Sequence, residues 1–276
     1  MKPTVSIIIP CYNDDQYIEQ AVLSALAQTH PYKEIIVIDD GSNSETKAIL
    51  KKIEPKITTL ITQENKGQSA ARNVGIKEAK GDYILALDSD DFFEPTFCEK
   101  AIAVFVEKEN IKLVTCYANL LYNDDTQEIY EPKGGDVFDF MFVNCALGTS
   151  MFKRKDWQNC GCYDEYMRSG LEDWEFFIRL LKTGGQAFVL KEPLYNYRKR
   201  SNSTTKTANK KKNKLLYYIY IKHKELYMSD YDNFVTHLLS RIEKEEFEND
   251  KNEQRLEFKI GKFILNPFRW FKKMLK

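Results

Sequence analysis

Val5-Ser6-Ile7-Ile8-Ile9-Pro10-Cys11-Tyr12-Asn13 opens the chain with an apolar run, broken only by Ser6, that stops in a polar turn. A strand covered on both faces reads this way, because neither side alternates toward water. The run is too short for a signal peptide and lacks a small-residue cleavage pattern. Helix and strand then alternate. From about Asp15, the residues Ile18, Ala21, Val22, Ala25 and Leu26 recur at helical spacing. A strand is expected over 35–39. A helix carrying Ile49, Leu50 and Ile53 comes next, with Ser42 and Glu45 at capping-box spacing. A short strand over 57–62, an Ala-rich helix over 67–80 and a strand over 83–88 extend the series. Such strand–helix units build an α/β fold with a mostly parallel central sheet and flanking helices. Ligands in these sheets sit beyond the carboxyl ends of the strands.

The second half is less regular. Pro95 suits a first helical turn. Strands are expected over 113–122 and 146–152, with a turn at Asn123-Asp124-Asp125 between them. A helix over 171–182 puts Leu171, Trp174, Ile178 and Leu181 on one stripe and ends at Gly184-Gly185. Residues 201–212 are Ser, Thr, Asn and Lys almost throughout, and read as a mobile loop. Weaker helical segments come after it, separated near Asp230 and at Asn249-Asp250.

Composition sets limits. The 276 residues suit one large domain with a helical appendix, and 43% apolar with 30% charged residues is ordinary for a globular chain. The 41 basic and 41 acidic side chains cancel, so nothing global suggests a nucleic-acid partner. No run of about 18 apolar residues appears, so no membrane-spanning helix is expected. The six cysteines are scattered without metal-ligand spacing and are read as reduced, mostly buried thiols of a cytosolic protein.

The expected strand ends share one trait, a concentration of carboxylate. Asp88-Ser89-Asp90-Asp91 comes after the fourth strand. If extended geometry persists, Asp88 and Asp90 leave the same face. Like charges about 4 Å apart repel by about 4 kcal/mol at an effective dielectric near 20, so a closed site needs a compensating cation or a raised pKa. Hard divalent ions such as magnesium or manganese take such oxygens together with phosphate oxygens. Asp39 and Asp40 end the second strand, one available to a base or ribose and the other to the Ser42 turn. Asn65 through Asn73 opens a helix whose free backbone donors suit an anion, with Arg72 in reach of the same rim. No phosphate-cradling Gly-x-x-x-x-Gly-Lys-Ser/Thr or Gly-x-Gly-x-x-Gly occurs there, which argues against a nucleoside-triphosphatase or a dinucleotide enzyme. Farther on, Glu172-Asp173 begins the amphipathic helix. Asp173 lies off its apolar stripe, where the helix dipole favours the ionised form of a proton-accepting base.

Taken together, these residues resemble the family 2 glycosyltransferases, which have the GT-A fold. The similarity covers 5–203 and rests on the order and spacing of these segments. It implies a domain over 1–205, with a nucleotide-binding half at 1–95 and an acceptor-binding half at 96–205. A helical extension occupies 206–276. The resemblance further implies inverting transfer from a UDP-, GDP- or dTDP-sugar, UDP favoured, to an acceptor hydroxyl on a saccharide or lipid-linked acceptor. Manganese or magnesium is the expected cofactor, with Asp90 as direct metal ligand and Asp88 near ribose and metal. Pro10, Tyr12, Asp39 and Arg72 match nucleotide-binding positions. Arg198 and Ser203 match a closing segment near the diphosphate. Asp173 matches the general base, with Glu172 and Trp174 on the acceptor side.

The absence of membrane spans and of Gln-x-x-Arg-Trp separates the chain from the family's processive polymerases. A cell-envelope polysaccharide or glycolipid is the expected setting, in the cytoplasm or peripherally on the inner face of the plasma membrane. The tail over 262–276 carries Lys262, Arg269, Lys272, Lys273 and Lys276 among aromatic and aliphatic residues, with no acid. It suits an anionic membrane surface, a packed terminal helix or a homodimer contact. Three rival functions stay open at this point. They are a nucleotidyltransferase acting on a sugar phosphate, a retaining transferase, and a non-catalytic nucleotide-sugar-binding or scaffold protein.

Overall fold

β1 (Val5–Cys11) is buried at all seven positions. The computed structural model describes residues 2–122, 126–200, 208–258, 260 and 264. In it the chain divides into two compact units, Met1–Ile219 and Tyr220–Lys276.

In the first unit, α1 (Ile18–Leu26) buries Ile18, Ala21, Val22 and Ala25, whereas Leu26, expected on the same face, is exposed. After β2 (Lys33–Asp39), α2 (Ser44–Ile53) is capped by Asn43, whose side chain accepts from the Thr46 N–H at 2.9 Å. Ser42, the expected cap, sits one residue too early. Its hydroxyl accepts from the Asn13 N–H at 3.1 Å instead. The order continues with β3 (Thr59–Thr62), α3 (Gln68–Glu78), β4 (Tyr83–Ala86), β5 (Phe92–Phe93) and α4 (Phe97–Glu107). Then come β6 (Ile111–Leu121), β7 (Gln127–Tyr130), α5 (Val137–Phe140), β8 (Met151–Lys153), α6 (Arg154–Asn159), α7 (Glu172–Lys182) and β9 (Gln186–Arg198).

Among the described residues these strands form one nine-stranded sheet, ordered β3-β2-β1-β4-β8-β6-β9-β5 with β7 on β6. β3, β2, β1 and β4 run parallel. β8 is antiparallel to both β4 and β6, so β6 and its parallel partner β9 share the direction of β1. β5 and β7 run against them. The sheet is therefore mixed but mostly parallel, an α/β layer with helices on both faces. On one face Val5, Ile7 and Ile9 join the buried residues of α1, α2 and α4. On the other, α3 lies so close that a Cβ on Gly75 would stand 2.5 Å from Ile38 Cδ1 and 2.7 Å from Ile8 Cγ2. Each fully buried isoleucine of β1 contributes about 1.5–3 kcal/mol of apolar burial.

Two expectations change in this unit. The strand expected over 146–152 shrinks to β8, because Ala146, Leu147, Gly148 and Thr149 line a cleft rather than pair. Residues 208–210, read as loop, are helical, and α8 (Lys212–Lys222) comes next. Ala208 is buried against Gly170, where an added Cβ would stand 2.6 Å from the Ala208 Cβ. Residues 201–207 of that expected loop, the turn at 123–125 and most of the tail over 262–276 fall outside the described residues.

The second unit contains α9 (Lys224–Ser229) and α10 (Tyr231–Gln254). Tyr220, Tyr227 and Phe234 pack there with ring centroids 4.8–5.1 Å apart. The break at Asp230 is present, but α10 runs through Asn249 and Asp250, the second expected break. Cys11, Cys98, Cys116 and Cys145 are buried. Among the described residues, no helix is long and apolar enough to cross a membrane.

Candidate active site

Beyond the carboxyl ends of β1 and β4 lies a cleft of about 690 Å³. The N-terminal ends of α3 and α7 also open onto it, through Gly67 with Gln68 and through Leu171 with Glu172. Gly170 and Leu171 both have positive φ, 113° and 63°, and swing the chain into α7. For leucine that left-handed turn costs about 1–2 kcal/mol, a strain that recurs where a site must be shaped. Asn73 of α3 ties this loop to the N-terminal half of the sheet. Its amide donates to the Tyr163 carbonyl and accepts from the Tyr163 N–H, both at 2.9 Å.

The four-residue acidic segment after β4 divides its labour. Asp91 is fully buried, accepting from the Tyr195 hydroxyl at 2.5 Å and the Arg198 N–H at 2.7 Å. Burial, then the charges of Asp90 and Asp88, hold its carboxyl well above the ordinary range. Asp88 and Asp90 face the cleft. Asp88 Oδ1 accepts from Arg72 and from Gln68 Nε2, both at 2.8 Å. The Asp90 carboxyl is pushed up to about 6, first by burial and then by the Asp88 charge, with Arg200 pulling it back.

Arg72 joins the two sides of the cleft. Its guanidinium, 2% exposed, donates to Asp88 and, at 2.9 Å, to Glu172 Oε1. It also lies 5.4 Å from the centre of the Tyr163 ring. Burial pushes the Glu172 carboxyl up to about 7 despite Arg72. Asp173 accepts from Asn144 Nδ2 at 2.9 Å, and its Oδ2 would lie 2.8 Å from a Cβ built on Gly148. Its pKa is raised by burial, against Arg72 and the Trp174 N–H, which lower it. This corrects the helix-dipole expectation, because desolvation outweighs the N-terminal field. A raised carboxylate is the better proton acceptor near neutral pH.

Pro10, Tyr12, Arg72, Asp88, Asp90, Glu172, Asp173 and Arg198 line the cleft. Two expected residues do not. Asp39 is buried, and its Oδ1 accepts from the Ser42 N–H at 2.8 Å, so it caps the turn. Its neighbour Asp40 reaches the cleft wall and accepts from the Lys66 and Gly67 N–H groups at 2.9 and 2.8 Å, shaping the entry to α3. Trp174 is also buried. Its indole N–H donates to the Phe140 carbonyl at 2.6 Å, which turns the ring into the core. Ser203 lies outside the described residues. Arg198 is held in place, donating to the Asp90 carbonyl and to Gln20 Oε1 between the rings of Tyr17 and Phe92.

Asp14, Asn144 and Arg200 are among the cleft residues that escape a reading of the sequence. Asp14 is legible in principle, as one more carboxylate just past the first strand. Arg200 is hidden in a basic run, and a lone Asn144 carries no signal.

Residues 6–174 match the family described as Glycosyl transferase family 2, more than half of the chain. The chain is 34% identical over 210 residues to the "Putative teichuronic acid biosynthesis glycosyltransferase TuaG" of Bacillus subtilis (strain 168), covering 73% of this chain and 81% of that one. It is 31% identical over 194 residues to the chondroitin synthase of Escherichia coli, covering 66% of this chain and 27% of that one. The fold is similar to S. aureus TarS 1-349 in complex with UDP-GlcNAc, with a TM-score of 0.61 at 21% identity over 74% of this chain and 60% of that one. It is also similar to the mannosyltransferase PcManGT of Pyrobaculum calidifontis in complex with GDP-Man and Mn2+, with a TM-score of 0.57 at 17% identity over 74% and 59%. The fold is that of a glycosyltransferase of GT-A type. The chain belongs to glycosyltransferase family 2.

Proposed function

We propose that this glycosyltransferase moves a sugar from a UDP-sugar to an acceptor hydroxyl with inversion, in the synthesis of a cell-envelope polysaccharide or glycolipid. The observation that carries the reading is Arg72, which ties Asp88 on the donor rim to Glu172, next to Asp173, across one cleft. Donor and acceptor sides are thereby held as a single rigid unit, as a one-step displacement requires. The TuaG and chondroitin synthase names support polysaccharide synthesis, and the TarS complex supports a uridine donor.

In this reading Tyr12, half exposed beside Pro10, offers its ring to the base. Asp173 takes the proton from the acceptor hydroxyl as the oxygen attacks the anomeric carbon, opposite the departing diphosphate. The amide of Asn144 keeps that carboxylate turned to the cleft. Asp90 and Asp88 form an oxygen-only donor set, and the raised pKa of Asp90 supports a need for a cation there. They fit manganese or magnesium, which when bound neutralises charge on the leaving diphosphate. Among the described residues no cluster of three or more such ligands forms by itself, so an ion held by Asp90 and Asp88 would need phosphate oxygens and water as further ligands.

The decisive experiment is a panel of nucleotide sugars with Mn2+, scored for release of the nucleoside diphosphate and for transfer. UDP-sugars are expected to be turned over, and Asp90→Ala to weaken metal-dependent donor binding. Turnover of nucleoside triphosphates with sugar phosphates instead would assign a nucleotidyltransferase. Attachment of residues 262–276 to an anionic membrane surface belongs to the same proposal. Identical liposome flotation of full-length and tail-deleted protein would remove it.

A further inference from the structure

Two arginines, two residues apart, stand beside Asp90 and differ in how tightly they are held. Arg198 is fixed by the Asp90 carbonyl, by Gln20 and by two aromatic rings. Arg200 is about a third exposed, and among the described residues its two terminal nitrogens pair with carboxylates. One donates to Asp14 Oδ1 at 2.8 Å and the other to Asp90 Oδ2 at 2.5 Å. Asp14 is itself anchored, its second oxygen accepting from the Ser89 hydroxyl. The guanidinium rests 5.2 Å from the centre of the Tyr17 ring, and its Nε is buried without a partner. Arg200 thus occupies one carboxylate oxygen of Asp90, a cleft residue whose oxygens a divalent ion would need.

One carboxylate oxygen already bonded to a guanidinium is a poor ligand for a metal ion. The two cations therefore compete for the Asp90 carboxylate. Charge balance decides which one stays. Asp14, Asp88 and Asp90 line the same cleft, and like charges so placed need a cation to offset them. A divalent ion supplies more charge than Arg200 does, and a diphosphate brings new negative oxygens to the same wall. A guanidinium released at that wall has a planar fork suited to two phosphate oxygens.

We propose that Arg200 is an exchangeable donor-side cation. It holds Asp14 and Asp90 while the cleft is empty, yields Asp90 to the divalent ion, and then binds the oxygens of the donor's diphosphate. No covalent bond changes in this exchange. The role assigned to the freed arginine rests on the nucleotide-sugar reading proposed for the cleft, whereas its competition with metal at Asp90 does not.

The test uses the full chain, with Arg200→Gln and Arg200→Lys beside the wild type. Mn2+ binding without nucleotide is read from the free-ion electron paramagnetic resonance signal. UDP and UMP binding at saturating Mn2+ is read by calorimetry. Arg200→Gln is expected to bind Mn2+ about tenfold more tightly than wild type and UDP about tenfold more weakly, with UMP little changed. Arg200→Lys, which keeps the charge but loses the fork, should fall between the two for UDP. Equal or weaker Mn2+ binding by Arg200→Gln, or no Mn2+ binding by any of the proteins, would overturn the exchange. Equal UDP binding by Arg200→Gln and wild type would overturn the diphosphate role. A wild-type protein that binds no nucleotide would instead sink the donor reading, and the metal titration would still decide the competition at Asp90.

Discussion

The two acidic corners of the cleft handle their charge differently. After β4 the counterweights are separate groups: Arg72, shared with Glu172, for Asp88; Arg200, shared with Asp14, for Asp90; and the Tyr195 hydroxyl with a backbone N–H for Asp91. At the start of α7, one buried arginine bonds Glu172 and lowers the pKa of Asp173 nearby, while Asn144 gives Asp173 a neutral amide. Separate counterweights leave a corner in which one cation, the partly exposed Arg200, is proposed to be exchangeable. Shared compensation leaves a corner that is rigid and short of positive charge, where burial lifts both acids. The first arrangement suits gripping and releasing phosphate, and the second suits holding a base ready.

The largest expected effect comes from removing that base. Asp173→Asn should lower transfer by about a thousandfold while leaving UDP affinity within about twofold. Normal transfer by this variant would end the contrast between a gripping corner and a proton-accepting one. Arg72→Ala strikes both corners at once and strands two carboxylates. It should cost about 3–5 kcal/mol of stability in denaturant unfolding, and a loss within error would show that the two sides are not coupled. Asn144→Ala should lower kcat about tenfold with donor KM unchanged, because only the orientation of Asp173 is lost. A change confined to KM would move Asn144 to substrate binding.

The smallest effect is a matter of pH. The Glu172 carboxyl stands at about 7 in the folded chain against an ordinary 4.5, so the folded state holds that proton more tightly. Its contribution to stability is complete below pH 4.5 and is lost as pH rises through about 7. Glu172→Gln should flatten that fall in Tm. An unchanged pH profile of Tm would deny that burial dominates at this corner. In activity the sign reverses, because a base must be unprotonated. The acid limb of kcat/KM should therefore lie above the range of an ordinary aspartate.

Much of the fold is legible because its determinants are local. The apolar run of β1 and the spacing of Ile18, Ala21, Val22 and Ala25 state their burial directly. So does the clustering of acids where β4 ends, since a charge placed after a buried strand has few other places to go. The misreadings share a different cause. Asn43 takes the cap from Ser42 because Ser42 serves the loop of Asn13, a partner 29 positions away. Trp174 fits a helical stripe and a motif equally well, and only the Phe140 carbonyl decides between them. Asp173 looks, from its own helix, like an acid under the dipole alone, while its pKa answers to burial by the whole cleft. Arg200 and Asn144 act on acids far along the chain, and no window of sequence contains both members of either pair.

Gly75 stands one helical turn past Arg72 and touches no part of the cleft. Its missing methyl is what lets α3 rest on Ile8 and Ile38. The helix thus behaves as a shelf whose height is set at one bracket, and the guanidinium spanning the two oxygen-rich corners sits on that shelf. A single carbon added there would act as a shim under it, lifting Arg72 out of reach of one corner or the other without altering any residue the sugar meets.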